Sequence, residues 1–246
     1  MSYRLGVDVG GTFTDLILVD EKSGNIFTAK VPSTPEDSSI GVLNGIERVC
    51  RTANVNPNEI SQVMHGTTVA TNTILTGTGA KVGLVTTKGY KQVLQIARSY
   101  VPGGLGGWVI YNKSEPLAPL ACTIEAEERT GANGKVVRQL KKPALKTELK
   151  RLKNENIEAL TVSLVNSYAN AKHEKEIGKV AKETLPGIPV SLSSDVVPEM
   201  QEYERTITTV ANSYVRPKVA TYVRSLQRKL TRKMKNVKLH ILRSDG

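Results

Sequence analysis

Hydrophobic residues near the start of the chain fall into three short, β-rich runs, at residues 3–9, 15–19 and 26–31. A Gly-Gly pair at 10–11 separates the first two runs, and a Ser-Gly-Asn turn at 23–25 separates the second from the third. Short apolar runs joined by tight turns are typical of consecutive antiparallel strands. The pattern therefore predicts a three-stranded antiparallel β-meander at the N-terminus.

The spacing of apolar residues then changes from two to three or four, which is the period of a helix. The first helix is predicted to begin at Thr34, which would cap it, with Pro35 in its first turn. From about residue 60 onward strand-like and helix-like segments alternate, which predicts an α/β fold. We expect Pro217 to break or kink the last helix, because proline lacks an N–H and clashes with the preceding turn. The predicted helices are 68–75, 90–97, 143–154, 171–184 and 199–235, and the predicted strands are a short one ending at Val63 and runs at 82–86, 159–165, 189–193 and 237–242, with a hairpin of 123–130 and 135–140.

The chain has 246 residues, of which 39% are hydrophobic and 23% charged. This length fits one large domain or two small ones, and the composition is that of a globular protein rather than a disordered one. The uncharged runs are too short to span a membrane, and the start has no apolar leader segment. Cys50 and Cys122 have neither a metal-ligand spacing nor a disulfide framework, so we expect reduced thiols in a cytoplasmic protein.

Positive charge is concentrated at one end of the chain. The net charge is +11, and residues 205–246 carry 11 basic residues against one acid, Asp245. Such a segment can bind nucleic acid, form a solvated helix face or meet an acidic partner subunit. Few aromatic residues are interleaved for base stacking, only Tyr214 and Tyr222. We therefore expect no nucleic-acid partner, and no membrane partner either.

The clearest chemical signal is the run Asp-Val-Gly-Gly-Thr-Phe-Thr-Asp at residues 8–15. A strand delivers Asp8 at its end, and two glycines allow a tight turn whose N–H groups a ligand can approach. Consecutive N–H groups in such a turn form an anion nest suited to phosphate, and a carboxylate at its rim can hold hydrated Mg²⁺. Neither a Walker A loop nor a Gly-x-Gly-x-x-Gly fingerprint is present. The remaining alternative is an ordinary Gly-Gly hairpin.

This run resembles the first phosphate motif of the sugar kinase, heat-shock ATPase and actin superfamily. In its Thr-Phe-Thr-Asp form it resembles the hydantoinase A/oxoprolinase family. Three further stretches resemble that family, at residues 65–72, 198–206 and 211–217, so the resemblance covers the chain from residue 3 to its end. Within the family, the Gly-rich loop and the residues after it at 103–111 look most like the hydantoinase-A-type subunit of acetone carboxylase.

The resemblance implies an actin-like fold of two lobes, with ATP and Mg²⁺ held between them. It implies an N-terminal family domain at 1–200 and a truncated start of the second domain at 201–246. The family's second phosphate motif is absent, so we expect the chain to be a fragment that is inactive alone. Carried onto this chain, the resemblance implies that Gly10, Gly11, Thr12 and Thr14 cradle phosphate and that Asp8 and Asp15 lie near the metal. His65 follows an apolar strand end and precedes Gly-Thr-Thr, so it is predicted to face the same cleft. The predicted catalytic residues are Asp8, Asp15 and His65, the predicted metal ligand is Asp8, and the predicted nucleotide-binding residues are Gly10, Gly11, Thr12, Thr14, Gly66, Thr67 and Thr68.

The family chemistry implied is ATP-dependent activation of a small carbonyl compound or cyclic amide by phosphorylation. It leads to ring hydrolysis or to acetone-type carboxylation, in a hetero-oligomer with a hydantoinase-B-type subunit. A sugar-kinase relative and a non-catalytic, one-lobe assembly module remain as alternatives. His65 could instead hold its own loop by hydrogen bonds. His173, on a helix expected to be exposed, and His240, inside a strand, are interpreted as structural.

Overall fold

The computed structural model of the chain describes residues 3–34, 37–98 and 114–242. The chain divides into two compact units, with residues 1–77 and 218–246 in unit 1 and residues 78–217 in unit 2. In chain order the helices and strands of the described residues are β1 (Tyr3–Val9), β2 (Phe13–Asp20), β3 (Ile26–Pro32), α1 (Ser38–Ala53), β4 (Ile60–Thr67), α2 (Val69–Leu75), β5 (Val82–Thr87), α3 (Val93–Ile96), β6 (Thr123–Ala126), β7 (Arg129–Thr130), β8 (Val136–Arg138), α4 (Lys142–Asn154), β9 (Ala159–Ser163), α5 (Lys172–Thr184), β10 (Val190–Leu192), α6 (Ser193–Val196), α7 (Glu202–Lys233) and β11 (Lys238–Ile241).

Unit 1 is built on a mixed five-stranded sheet with the strand order β11-β4-β1-β2-β3. The strands β1, β2 and β3 form the antiparallel meander that the sequence predicts. The strand β4 then runs parallel to β1, and β11 runs parallel to β4. Residues of β1 are alternately buried and exposed, so one face of the sheet is packed and the other is more open.

The packed face of this sheet is covered by α1 and by the last part of α7. Leu5, Val7 and Leu16 form one buried cluster with Ile46 of α1 and Leu226 of α7. Packing of this kind stabilises the fold because it removes apolar surface from water. Chemistry that needs solvent or a ligand is therefore confined to the open face and to the strand ends.

Unit 2 is built on a parallel four-stranded sheet with the order β10-β9-β5-β6. Alternate residues of β5 face opposite sides: Val85 joins a cluster with α4 and α5, and Leu84 joins a cluster with the first part of α7. Both faces are thus covered, which is the usual state of a parallel sheet. The short strands β7 and β8 form a separate antiparallel pair.

Several predicted boundaries are wrong. The first helix begins at Ser38, and its cap is Asp37 rather than Thr34, because the Asp37 carboxylate accepts a hydrogen bond from the Ser39 N–H. The strand β4 does not end at Val63 but continues to Thr67, because these residues pair in register with β1. The predicted helix at 90–97 shortens to α3. The predicted hairpin is also smaller than expected, because β6 joins the parallel sheet and only β7 pairs with β8.

The helix α7 runs without a break through Pro217, contrary to expectation. A proline removes one hydrogen bond from a helix. Buried residues hold the helix on both sides of that point, with Val210 and Tyr214 before it and Leu226 and Leu230 after it. We infer that tertiary packing offsets the missing bond.

Some predictions lie outside the described residues, namely Pro35 at the start of the first helix, the Gly-rich loop at 102–108 and the turn at 244–246. The family-domain division at 1–200 and 201–246 stays a prediction, since the two compact units are a different kind of division. Among the described residues, none of the helices is long and apolar enough to cross a membrane.

Candidate functional site

The turn between β1 and β2 is tight and open to solvent at its tip. Asp8 lies opposite Asp15 in the antiparallel register, and Val9 lies opposite Thr14. The Gly10 N–H donates to the carbonyl of Phe13 at 3.0 Å and so closes the turn. The donor of Gly10 is therefore used within the turn itself.

The open position in the turn is Gly11. A Cβ added there would meet no heavy atom within 4 Å, whereas a Cβ at Gly10 would lie 3.1 Å from the Phe13 carbonyl oxygen. Gly11 and Thr12 are both exposed, and among the described residues the backbone N–H groups of these two have no hydrogen-bond partner. Two neighbouring free N–H groups with open space above Gly11 fit an anion.

The residue after β3 supports the turn from below. The Ser33 hydroxyl donates to the Gly10 carbonyl at 2.9 Å and lies 3.0 Å from the Thr14 hydroxyl. The Ser33 N–H donates to the Thr12 carbonyl at 2.9 Å. Thr14 is fully buried, so its hydroxyl braces the turn in this arrangement, and its predicted contact with phosphate stays a prediction.

The carboxylate of Asp8 lies on the open face of the sheet. Asp8 is exposed, and among the described residues it has no ion-pair partner. On one side it faces Asp15, and on the other it faces Gly66 of β4. A Cβ added at Gly66 would lie 3.3 Å from the Asp8 carboxylate oxygen, so glycine leaves room beside this group.

Asp15 is partly neutralised by a lysine that the sequence analysis did not select. The Lys30 Nζ lies 3.1 Å from an Asp15 carboxylate oxygen and 5.0 Å from the centre of the Phe13 ring. Lys30 is directly opposite Asp15 in the register of β2 and β3. The pairing of these two strands is the signal from which the ion pair could have been predicted. This pair lowers the repulsion between the two neighbouring carboxylates of the site.

These residues fit a hydrated cation better than a fully coordinated one. In the described part of the chain no group of three or more His, Cys, Asp or Glu side chains could hold a metal ion. Mg²⁺ is commonly bound through one or two carboxylates while it keeps several waters. Asp8, with room beside it at Gly66, fits that mode of binding.

The connection from β4 to α2 is anchored to the end of β1. The Thr68 N–H and hydroxyl both donate to the Val9 carbonyl, at 3.4 and 3.2 Å. Thr67 pairs with Val9 in the parallel register and accepts a hydrogen bond from the Val69 N–H. The structure therefore brings Gly66, Thr67 and Thr68 next to the β1–β2 turn, and their predicted role in nucleotide binding stays a prediction.

His65 is not brought together with the two carboxylates. It pairs with Val7 on the packed face of the sheet, whereas Gly66 and Asp8 lie on the open face. Its side chain is fully buried, and its Nε2 lies 2.8 Å from the Tyr222 hydroxyl. Burial lowers the pKa of His65 to about 4, although the charge of Asp8 acts in the opposite direction. This geometry favours the structural alternative, and a catalytic role for His65 stays a prediction.

Tyr222 of α7 completes this buried contact. Burial raises the pKa of Tyr222 to about 12, so the phenol stays protonated at neutral pH. Its hydroxyl lies 2.8 Å from the Nε2 of His65 in β4. Tyr222 thus links the packed helix to the β4 end, a role that no local sequence pattern indicated.

His173 is buried, contrary to the prediction that it lies on an exposed helix. Its Nδ1 lies 2.6 Å from a carboxylate oxygen of Glu128, which is also buried and contacts the Thr87 hydroxyl. The three residues belong to unit 2 and tie α5 to the ends of its sheet. The structural interpretation of His173 holds, but its burial could not be read from the helix pattern.

A family model for the hydantoinase/oxoprolinase N-terminal region matches residues 4–185. The chain belongs to the hydantoinase/oxoprolinase family. The turn at 8–15 and the β4 end at 65–68 both fall within the matched N-terminal region.

Curated relatives in the family include two subunits of named enzymes. The chain is 33% identical to the caprolactamase subunit alpha of Pseudomonas jessenii, over 90% of this chain and 32% of the relative. It is 34% identical to the acetophenone carboxylase gamma subunit of Aromatoleum aromaticum, over 86% of this chain and 31% of the relative. The chain therefore spans about a third of the length of these relatives.

Solved structures agree on the fold. The crystal structure of ATP-dependent caprolactamase from Pseudomonas jessenii matches 97% of this chain and 35% of its own, at a TM-score of 0.86 and 29% identity. Nucleotide-free acetone carboxylase matches 96% of this chain and 35% of its own, at a TM-score of 0.84 and 23% identity. The second match shows the same mixed α/β fold.

Proposed function

We propose that the chain is the N-terminal portion of an ATP-dependent hydantoinase/oxoprolinase-type subunit. In this proposal the β1–β2 turn holds phosphate groups of ATP, and Asp8 holds hydrated Mg²⁺ beside them. The activated substrate is a small carbonyl compound or a cyclic amide. Ring hydrolysis and acetone-type carboxylation are the two reactions that this activation serves.

The observation that carries the proposal is that a carboxylate with no ion-pair partner in the described part of the chain lies beside an open turn. Asp8 is exposed at the end of β1, and Gly11 beside it has empty space above its backbone. A hairpin that served only to reverse the chain would require neither feature. The relatives add support, because one solved relative is described as an ATP-dependent caprolactamase and another as catalysing ATP-dependent acetone carboxylation.

The chain's own residues would act by position and charge. When bound, Mg·ATP supplies the phosphoryl group and a cation that neutralises its oxygens. The N–H groups of Gly11 and Thr12 donate to phosphate oxygens, and Ser33 holds the turn in the conformation that presents them. Asp8 would hold the hydrated cation, and Lys30 would keep Asp15 from adding a second unbalanced negative charge. Catalysis of phosphoryl transfer relies largely on such fixed electrostatics.

The proposal extends to the parts that this chain does not contain. The actin-like arrangement of two lobes would place the rest of the nucleotide site on a second lobe, beyond the third of the relatives that this chain spans. Alone, the chain would then bind ATP weakly and hydrolyse it undetectably. We further propose a cytoplasmic hetero-oligomer with a hydantoinase-B-type subunit, since the relatives are named as subunits of enzymes.

The test is Asp8→Asn in the complete protein, with steady-state ATP turnover measured beside thermal melts. Turnover should fall by about 100-fold or more, since an electrostatic role at the metal is worth several kcal/mol of barrier. The melting temperature should stay close to that of the wild type, because Asp8 is exposed. Asp195→Asn, at an exposed carboxylate of unit 2, is the matched control.

Unchanged turnover in a well-folded Asp8→Asn protein contradicts the proposal. If the complete wild-type protein itself has no ATP turnover, the non-catalytic assembly module becomes the better account. Phosphorylation of a sugar by the complete protein would favour the sugar-kinase alternative.

A further inference from the structure

The last part of α7 has two opposite faces of different character. Leu226, Leu230 and Met234, four residues apart, are fully buried against the sheet of unit 1. The opposite face carries three exposed arginines at the same spacing, Arg224, Arg228 and Arg232. We call these three residues the arginine stripe.

Basic residues elsewhere on this helix have partners. Lys229 lies 2.5 Å from an Asp37 carboxylate oxygen and 2.7 Å from the Ser39 hydroxyl. Lys233 is paired with Glu47 of α1. The structure thus pairs the lysines that face α1.

The arginine stripe has no such partners. Arg224 donates from Nε to the Ala220 carbonyl one turn earlier, and this leaves its terminal guanidinium nitrogens unused. Among the described residues, neither Arg228 nor Arg232 forms an ion pair or a side-chain hydrogen bond. Three planar cations therefore point away from the unit with their donors available.

The stripe is unfavourable for the helix itself. Like charges four residues apart repel each other on a helix surface. A position in the last turn is favoured by the helix dipole, which accounts for Arg232 but not for Arg224, more than two turns from the end. Charge interactions within the helix therefore do not explain the stripe as a whole.

We propose that the arginine stripe is a docking surface for an acidic helix of a partner protein. An open surface depression of about 750 Å³, called the groove below, lies on this face, and its lining residues all belong to α7: Thr221, Arg224, Gln227, Arg228, Thr231 and Arg232. The guanidinium groups repeat every 6 Å or so along the helix, which matches carboxylates four residues apart on a second helix. Guanidinium binds carboxylate through two parallel hydrogen bonds, which an ammonium group cannot reproduce.

Two other anionic partners fit less well. The groove has no aromatic side chain on which a nucleic-acid base could stack. It also has no large apolar side chain that could enter a lipid surface. The polar threonines and glutamine between the arginines suit hydrogen bonds to a protein surface.

The experiment uses the 246-residue chain and a fluorescein-labelled helical peptide with three glutamates four residues apart on an alanine and glutamine background. Anisotropy is measured at about 50 and about 150 mM salt. Comparison ligands are the same peptide with glutamine for glutamate, a short DNA duplex, and phosphatidylserine-containing vesicles. Circular dichroism checks that each variant is folded.

The wild-type chain should bind the glutamate peptide more tightly than the glutamine peptide, the duplex or the vesicles. The triple change Arg224→Glu, Arg228→Glu and Arg232→Glu should weaken peptide binding by at least about tenfold, and the triple Arg→Gln variant is used if that protein does not fold. The matched control changes the exposed Lys175, Lys179 and Lys182 of α5 to Glu, so that the net charge changes by the same amount as in the α7 variant. This control should bind the peptide within about twofold of wild type. The triple Arg→Lys variant should lose several-fold because the bidentate contact is lost.

Equal weakening by the α7 and α5 triple variants would overturn the proposal, because only net charge would then matter. Tighter binding to the DNA duplex or to vesicles than to the glutamate peptide would also overturn it, and so would an absence of peptide binding at the lower salt concentration.

Discussion

Lowering the pH should destabilise this protein through one buried histidine, His65. Its ring is fully buried, and its pKa lies at about 4 instead of 6.5. A histidine whose pKa is depressed in the folded state takes up its proton more readily when the chain unfolds. The contribution of His65 to the free energy of unfolding is therefore fully present above about pH 6.5 and is lost as the pH falls toward 4.

The physical reason lies in both ring nitrogens. Nε2 lies next to the Tyr222 hydroxyl, while among the described residues the buried Nδ1 has no hydrogen-bond partner. A protonated imidazole has two N–H donors, so charging His65 would bury both a charge and an unsatisfied donor. A difference of one in pKa between the folded and unfolded states corresponds to about 1.4 kcal/mol. The free energy of unfolding should therefore fall by about 2 kcal/mol by pH 5, and by about 3 kcal/mol once His65 is fully protonated.

Urea denaturation between about pH 8 and about pH 5 measures this loss. Carboxylates with lowered pKa values, such as Asp37 and Glu47, start from ordinary values of 3.8 and 4.5 and lose their contribution only at lower pH. His65→Gln keeps a polar group near Tyr222 but cannot titrate, so it should remove about 2 kcal/mol of the difference between the two pH values. His240→Gln, at an exposed histidine of β11, should leave the pH dependence unchanged.

A direct readout is the NMR titration of the His65 ring. The ring should not titrate in the folded wild-type chain above about pH 5. A ring that titrates near 6.5, or a His65→Gln protein with the same pH dependence as wild type, would refute the reasoning.

Substitutions at three further positions test the packing and the capping of the fold. Gly79→Ala should cost about 1–3 kcal/mol in urea denaturation, because an added Cβ overlaps the ring of Tyr214; a cost near zero would show that this contact is loose. Gly11→Ala should stay within about 0.5 kcal/mol of wild type, because nothing lies within 4 Å of the added Cβ; a large loss would mean that the turn is strained. Asp37→Ala should cost about 1 kcal/mol or more in thermal melts, because Asp37 accepts a hydrogen bond from the Ser39 N–H at the start of α1 and pairs with Lys229. Asp37→Asn keeps the cap but not the charge, so it should cost less. Equal losses in the two variants would assign the effect to the ion pair alone.

The meander and the position of Asp8 could be predicted from the sequence because both depend on local signals. Strand periodicity and the Gly-Gly turn act over a few residues, and the observed register places Asp8 at the strand end as expected. The pairing of Lys30 with Asp15 depends on the same register but was missed.

Features that depend on distant partners could not be predicted in this way. The strand β4 extends through His65 and Gly66 because β1 pairs with it, although a histidine and a glycine are weak strand signals. His173 is buried because Glu128 lies next to it, and these two residues are 45 positions apart in the chain. The unbroken helix at Pro217 likewise depends on packing rather than on local propensity.

The central claim, that the β1–β2 turn binds phosphate, is tested most directly by NMR on the ¹⁵N-labelled chain titrated with Mg²⁺ and ATP. We predict saturable shifts of the Gly11 and Thr12 amides, with a dissociation constant of about 1 mM or weaker, because in the proposed arrangement this chain supplies only part of the site. Asp8→Asn should abolish the Mg²⁺ dependence of these shifts. Unmoved Gly11 and Thr12 amides at saturating ligand, with the largest shifts on α7 instead, would contradict the account.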